Sequence, residues 1–249
     1  MVGRNKMMMV VLIGTWTIFL VKAGQPSISY VRNIALGNFL VAKGLSLSQQ
    51  DVFANFTLAN SCECRTACWC HSQCIAAAAM ERPDGTVLCS LSAISPRTSI
   101  FLNITQSTYF FWEDSHVGLS YGLGSDNFLY FISYTTHVYS EGKDLCARVP
   151  GHRLAMLKTA AQFNAAEKLA NGTKVLVDLS RPGIIGTPMV WGDGSPYTTA
   201  GSVSSVASIQ DDQNNPVVYR LEPSRFNDVG LADATYRVLC QANPLGLDW

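Results

Sequence analysis

No basic excess marks this chain. Its 18 lysine and arginine residues are balanced by 18 acids, with four histidines besides. A protein that neutralises phosphates needs a lysine- and arginine-rich face, so the balance excludes nucleic acid as a partner. Long apolar runs are also lacking. Met7 to Val21 is a largely apolar run without charge, but it is shorter than the ~20 residues needed to cross a bilayer. Arg4 and Lys6 precede it and Val21-Lys22-Ala23 follows it, so residues 1–23 read as an export signal cleaved before Gly24 or Gln25. A membrane anchor is the alternative reading of this run. No later run spans a bilayer, so no membrane span is expected in the mature chain. Export removes Arg4, Lys6 and Lys22 and no acid, which leaves 15 basic against 18 acidic residues, a net charge of −3. The remaining length suits two small domains.

What the chain does have is cysteine, eight in all. In an exported protein, pairing is the default. Three sequons, at Asn55, Asn103 and Asn171, agree with secretion, and each predicts a surface position because a glycan must be exposed. Six of the cysteines crowd into Cys62 to Cys89. Cys64 and Cys68 stand at i and i+4, which on a helix puts both thiols on one face. Zinc is the rival for this cluster, with a Cys-x-Cys pair and His71 as ligands. No second Cys-x-x-Cys or His pair completes a tetrahedral set. Six cysteines allow fifteen pairings, and spacing alone does not choose among them.

Cys64, Cys68, Cys74 and Cys89, with the apolar run Ile75-Ala76-Ala77-Ala78-Ala79 between the last two, resemble the PAN/apple module. The resemblance implies nested bridges, Cys64–Cys89 outside and Cys68–Cys74 inside, and leaves Cys62 and Cys70 as an extra pair. Ser27 to Thr57 then supplies the module's first strands, and Thr108 to Trp112 reads as a strand closing it. The polar, glycine-rich residues 114–125 mark a linker, which places the module at residues 24–113.

Within that linker, Gly118-Leu119-Ser120-Tyr121-Gly122 has the spacing of a nucleophile elbow. An elbow needs a buried strand before it and a helix after it. Neither flank fits, so Ser120 reads as a linker residue and no enzyme is expected. Beyond the linker, Phe128 to Ile132 reads as a strand and Ser140 to Pro150 as a helix with Leu145 and Cys146 facing in. Thr159 to Ala170 reads as a second helix, N-capped by Thr159, with Phe163, Ala166, Leu169 and Ala170 on its apolar face and Asn171-Gly172 ending it. Further strands fall at Lys174 to Leu179, Val190-Trp191 and Tyr236 to Leu239. Helices followed by strands around a long irregular loop is an α+β pattern. His116, His137 and His152 lack spaced partners and read as surface or turn residues.

The stretch Trp191-Gly192-Asp193-Gly194, then Phe226-Asn227-Asp228, then Tyr236 to Cys240 resembles the second half of a C-type lectin-like domain. Gly142 to Cys146 and Pro150 to Ala155 resemble its first half. The likeness runs over residues 126–249. It implies a bridge between Cys146 and Cys240, which would close about 95 residues and contribute roughly 4–5 kcal/mol in the chain-entropy model. The family's second bridge is missing, with Val218 and Leu231 at its two positions. The resemblance also implies a Ca2+ site whose oxygen ligands bind sugar hydroxyls. Here those ligands would be Gln210, Asp212, Asn227 and Asp228, with Gln210 in the position that goes with galactose-type sugars and Tyr197 as a stacking face. Gln210-Asp211-Asp212 lacks the family's central proline, and Asn214-Asn215-Pro216 is a second oxygen-rich turn in another register. Taken alone, Asn227-Asp228 also fits a turn between strands, and Asp211-Asp212 a solvated loop tip. Trp191 and Phe226 read as core. The resulting expectation is a secreted recognition protein that takes glycans or extracellular proteins as partners. The alternative is a calcium-independent interaction or structural protein.

Overall fold

Tyr109-Phe110-Phe111-Trp112 is apolar on both sides of an extended chain, because successive side chains point to opposite faces. Such a strand belongs in the middle of a stack. The computed structural model of the chain describes residues 27–183, 186–198, 217–223, 225–230 and 234–246. In it, Tyr109 to Trp112 end the long strand β6, Phe101–Trp112. With β1 Ile28–Val31, β2 Phe39–Leu47, β3 Ala54–Leu58, β4 Ala76–Glu81 and β5 Val87–Ser92 it forms an antiparallel sheet in the order β1-β2-β6-β4-β5-β3.

Both faces of that sheet are covered. Phe110, Trp112, Ala77, Ala79 and Cys89 pack on the side of helix α1, Ser61–Cys70. Tyr109, Phe111, Ala76, Ala78 and Leu40 face the second sheet. The alanines of β4 are small on both sides, which lets layers approach from each direction. Asn60 caps α1, accepting from the Glu63 amide at 3.0 Å. Cys64 and Cys68 are fully buried and bonded to Cys89 and Cys74. The extra pair expected between Cys62 and Cys70 does not form, and both are exposed free thiols. They are eight residues apart on one helix, about 12 Å along its axis, whereas a disulfide holds its Cα atoms within about 7 Å.

The second sheet comprises β7 Leu119–Leu123, β8 Leu129–Ile132, β10 Val175–Arg181, β12 Val217–Glu222, β13 Arg225–Gly230 and β14 Arg237–Ala242, in the order β13-β12-β10-β14-β8-β7, with β9 His152–Leu154 on β14 and β11 Val190–Trp191 on β10. Helix α2, Tyr139–Arg148, carries Cys146, which is bonded to Cys240 of β14. Helix α3, Ala160–Ala170, begins in a capping box between Thr159 and Gln162 and ends at Asn171, held in the left-handed conformation at φ 44°. Phe163, Ala166 and Ala170 are buried and Leu169 is partly buried, so the helix presents the apolar stripe its sequence calls for. The described chain is α+β, with three α-helices. None of them is long and apolar enough to cross a membrane. Residues 1–23, expected to be an export signal, lie outside the described residues.

β8 is buried throughout. Leu129 and Phe131 join the core shared with the first sheet, while Tyr130 and Ile132 join the core under α3. The two halves of the chain therefore pack through one continuous apolar layer. The expected linker also differs from the structure. Residues 119–123 form β7, paired with β8, and Val117 is buried. Ser120 sits at the irregularity of β7 with φ 53°, exposed and, among the described residues, hydrogen-bonded to no histidine or carboxylate.

His152, expected as a surface or turn residue, is fully buried in the layer between the sheets. Its ring lies 5.5 Å from Phe131 and 5.7 Å from Tyr121, centroid to centroid. Nδ1 donates to the Pro150 carbonyl at 2.9 Å, and Nε2 is left to accept from the Tyr121 hydroxyl at 3.2 Å. Burial pushes its pKa from 6.5 down to about 4. The unfolded chain then binds one more proton than the folded chain between pH 4 and 6.5, so stability rises with pH across that window and the contribution is complete above it. The expected loss on acidification from pH 6.5 to 4 is about 1.4 kcal/mol per unit. Urea unfolding midpoints should flatten over this window in His152→Gln.

Candidate functional site

The turn after β11 is built from its own residues. The Trp191 amide donates to the Ser195 carbonyl at 2.9 Å, and the Gly194 amide donates back to the Trp191 carbonyl at 2.8 Å. Gly194 takes φ 85°, which favours glycine. The Gly192 amide donates to the Asp178 carbonyl at 2.9 Å, and a Cβ built on Gly192 would overlap the Asp178 carboxylate. Trp191 is 2 % exposed and is a core residue. Phe226, fully buried, stands edge-on to Trp191, Tyr197 and Phe163, with centroids 5.9, 6.2 and 5.3 Å away. Edge-to-face contacts at this range match the positive rim of one ring to the negative face of another. Tyr197 is half-buried in this cluster.

β12 and β13 pair in antiparallel register, Arg220 opposite Asn227 and Tyr219 opposite Asp228. Alternation puts Arg220, Glu222, Arg225 and Asn227 on one face. Tyr219, Leu221, Phe226 and Asp228 lie on the other, toward α3 and Tyr197. Burial, together with the carboxylate of Asp228, pushes the Tyr219 pKa up against the opposing pull of Arg181. The strand thus divides the expected set. Asn227 faces one way, and Asp228 shares the other face with Tyr197. Gln210, Asp211 and Asp212 lie outside the described residues, as do Asn214, Asn215, Pro216 and Leu231. Val218 is buried and pairs with Val229.

Three described acids near this region, Glu222, Asp193 and Asp178, already meet cations. Glu222, buried, accepts from Arg220 at 2.6 Å, Arg225 at 3.2 Å and Lys174 at 3.3 Å, and the Asn227 amide donates to it at 3.3 Å. Arg220 also donates to the Tyr236 hydroxyl, with its guanidinium 4.6 Å from the Tyr236 ring centroid. Burial raises the Glu222 pKa, but Asn227, Arg220 and Lys174 outweigh it and hold the carboxyl at about 2. Asp193 is paired with Lys158 at 2.5 Å and accepts from the Ser195 hydroxyl at 2.6 Å. Together these outweigh burial and hold its pKa at about 2. Asp178, 4 % exposed, accepts from the Tyr139 hydroxyl and pairs with Lys143 at 3.1 Å.

A calcium ion needs six to eight oxygen ligands with surplus negative charge. Asn227 instead turns its amide to a carboxylate that three cations neutralise. Among the described residues no group of three or more His, Cys, Asp or Glu is placed to hold a metal. Two of the four expected ligands, Gln210 and Asp212, lie outside the described residues, and of the two that are described Asn227 is engaged by Glu222. Sequence patterns alone miss Glu222, Lys174 and Arg225. The cluster's only trace in sequence is Arg220-x-Glu222 on a strand, with Arg225 across the turn. Lys174 comes from 48 residues upstream and is placed by the β10–β12 pairing of Val175 with Leu221.

The three sequon asparagines, Asn55, Asn103 and Asn171, are all exposed. No family model matches the chain, and no curated protein matches it. Among solved structures, the C-type lectin TC14 from the tunicate Polyandrocarpa misakiensis is similar over 49 % of this chain and 99 % of its own, at 19 % identity and a TM-score of 0.41. The human scavenger receptor C-type lectin carbohydrate-recognition domain is similar over 49 % and 95 %, at 14 % identity and 0.41. The C-type lectin CEL-I from Cucumaria echinata is similar over 49 % and 93 %, at 18 % identity and 0.38. Likenesses this distant fix neither the ligand nor the mechanism of this chain.

Replacing Glu222 by Gln should leave Arg220, whose side chain is 13 % exposed, without its counter-charge. The expected cost is about 2 kcal/mol in urea unfolding at pH 7. The wild-type advantage should shrink as pH falls from about 4.5 toward 2, where the carboxyl takes up its proton.

Proposed function

We propose that this chain is a secreted, glycosylated recognition protein that binds acidic glycans without calcium. In this reading a PAN/apple-like module precedes a C-type lectin-like domain, and the ligand lies over the face between residues 192 and 228. The order of anchors around Cys146, Trp191, Asn227-Asp228 and Cys240 supports the lectin-like half. The nested bonds Cys64–Cys89 and Cys68–Cys74 around α1 support the module. One observation carries the calcium-independent part: Glu222 is held by Lys174, Arg220 and Arg225, so the carboxylate to which the Asn227 amide donates is already neutralised.

Three cations around one carboxylate leave a positive surplus on that face. The side chains of Lys174 and Arg225 are 53 % and 50 % exposed, so part of each head group meets solvent. Charged N–H donors of this kind pair with sulfate and carboxylate groups, which makes sulfated or uronic-acid sugars the fitting class.

The test is retention of the full secreted chain on mannose, galactose and sulfated-polysaccharide resins, each run with chelator and with calcium. Retention on the sulfated resin in chelator is expected, weakened roughly tenfold in Kd by Lys174→Ala with Arg225→Ala. Retention on mannose or galactose that requires calcium would overturn the reading. Failure to bind any of the three resins would shift it to a protein ligand.

A further inference from the structure

α1 has one buried and one exposed side. Cys64 and Cys68 anchor the buried side, and the exposed side carries Cys62, Thr66, Trp69 and Cys70. At about 100° per residue these four fall within one sector of the helix. The sector holds no charge. Glu63 is drawn to the helix start, where its carboxylate accepts from the Ala59 amide at 3.0 Å and the Asn60 side chain at 3.2 Å. The Arg65 guanidinium lies over the Phe39 ring, 4.6 Å from its centroid. Trp69, a large apolar residue, remains 44 % exposed. None of the sequon asparagines lies on this helix.

The sulfur count then matters. The other six cysteines form three bonds within the chain, so the protein matures against a disulfide oxidant. Cys62 and Cys70 are exposed to the same oxidant. They are too far apart to bond to each other, and every other cysteine is taken. Their spacing is symmetric about Thr66, four residues to each side. A two-fold axis passing beside Thr66 makes two copies of α1 antiparallel and brings Cys62 of each against Cys70 of the other. An isologous contact of this kind is self-complementary and closed.

We infer that the chain is a covalent homodimer, joined across antiparallel α1 helices by two equivalent Cys62–Cys70 bridges, with Trp69 of each copy covered at the contact. Each bridge forms when one thiol from each chain loses a proton and an electron. A disulfide oxidant accepts both electrons and both protons and leaves as two thiols. The contact lies on the first half of the chain and leaves the face around Glu222 free, so its failure and the failure of the glycan reading are separable.

The test is electrophoresis and light scattering of the secreted full chain with and without reductant. Twice the chain mass without reductant, collapsing to the chain mass with it, is the expected result. The double variant Cys62→Ser, Cys70→Ser should be secreted, keep the wild-type melting behaviour of its three internal bonds and lose the covalent dimer completely. Each single variant should lose it as well, because the reciprocal partner is gone. A wild-type chain that runs as a monomer with two titratable thiols would overturn the inference, as would small-thiol caps on both cysteines or a bond to a different protein. Single variants that remain fully cross-linked would overturn the antiparallel pairing.

Discussion

The bond between Cys146 and Cys240 holds the second half of the chain in register, and the placement of the surrounding strands depends on it. Cys240 lies on β14, which pairs with β8, β9 and β10 at once. Tying α2 to that strand fixes the helix against the sheet's centre, where Gly142 makes room: a Cβ there would strike Val238. With β14 placed, β10 lies in parallel beside it, and β12 and β13 build outward from β10. The ion cluster at Glu222 exists because that register sets Lys174 beside the end of β12.

The layer between the two sheets is the second constraint. Leu40, Ala42, Tyr109 and Phe111 from one sheet meet Leu129, Phe131, Cys240 and Ala242 from the other. Several polar groups within reach of this layer are satisfied locally. His152 stays neutral between Pro150 and Tyr121, and Tyr30 and Asn38 both donate to Glu113 at its edge. Burying any of these groups unpaired would cost more than the contact contributes. The two halves of the chain are therefore mechanically joined.

Charge pairing decides the chemistry of the candidate face. Asp178, Asp193 and Glu222 would be natural cation ligands if their surroundings were neutral. Lys143, Lys158, Lys174, Arg220 and Arg225 meet them instead. An internal cation that costs no assembly step competes directly with a solvated metal. Around Glu222 the fixed positive charge exceeds the negative, three cations to one carboxylate.

The sequence by itself determined the elements that rest on local periodicity and caps: α3 with its Thr159 cap and Asn171 stop, the apolar strands at β6, β8 and β10, and the burial of Cys64 and Cys68 on one face of α1. It also marked Trp191 and Phe226 as core. The tertiary structure alone decided the rest, because those facts concern residues far apart in the chain. The continuous layer that turned an expected linker into β7 depends on packing of the two sheets. The burial of His152 depends on Tyr121 and Phe131 arriving from other strands. The separation of Asn227 from Asp228, and the capture of Asn227 by Glu222, depend on antiparallel register, where a one-residue slip would exchange the faces. The free thiols of Cys62 and Cys70 result from the length of a helix that only the folded chain makes continuous through both.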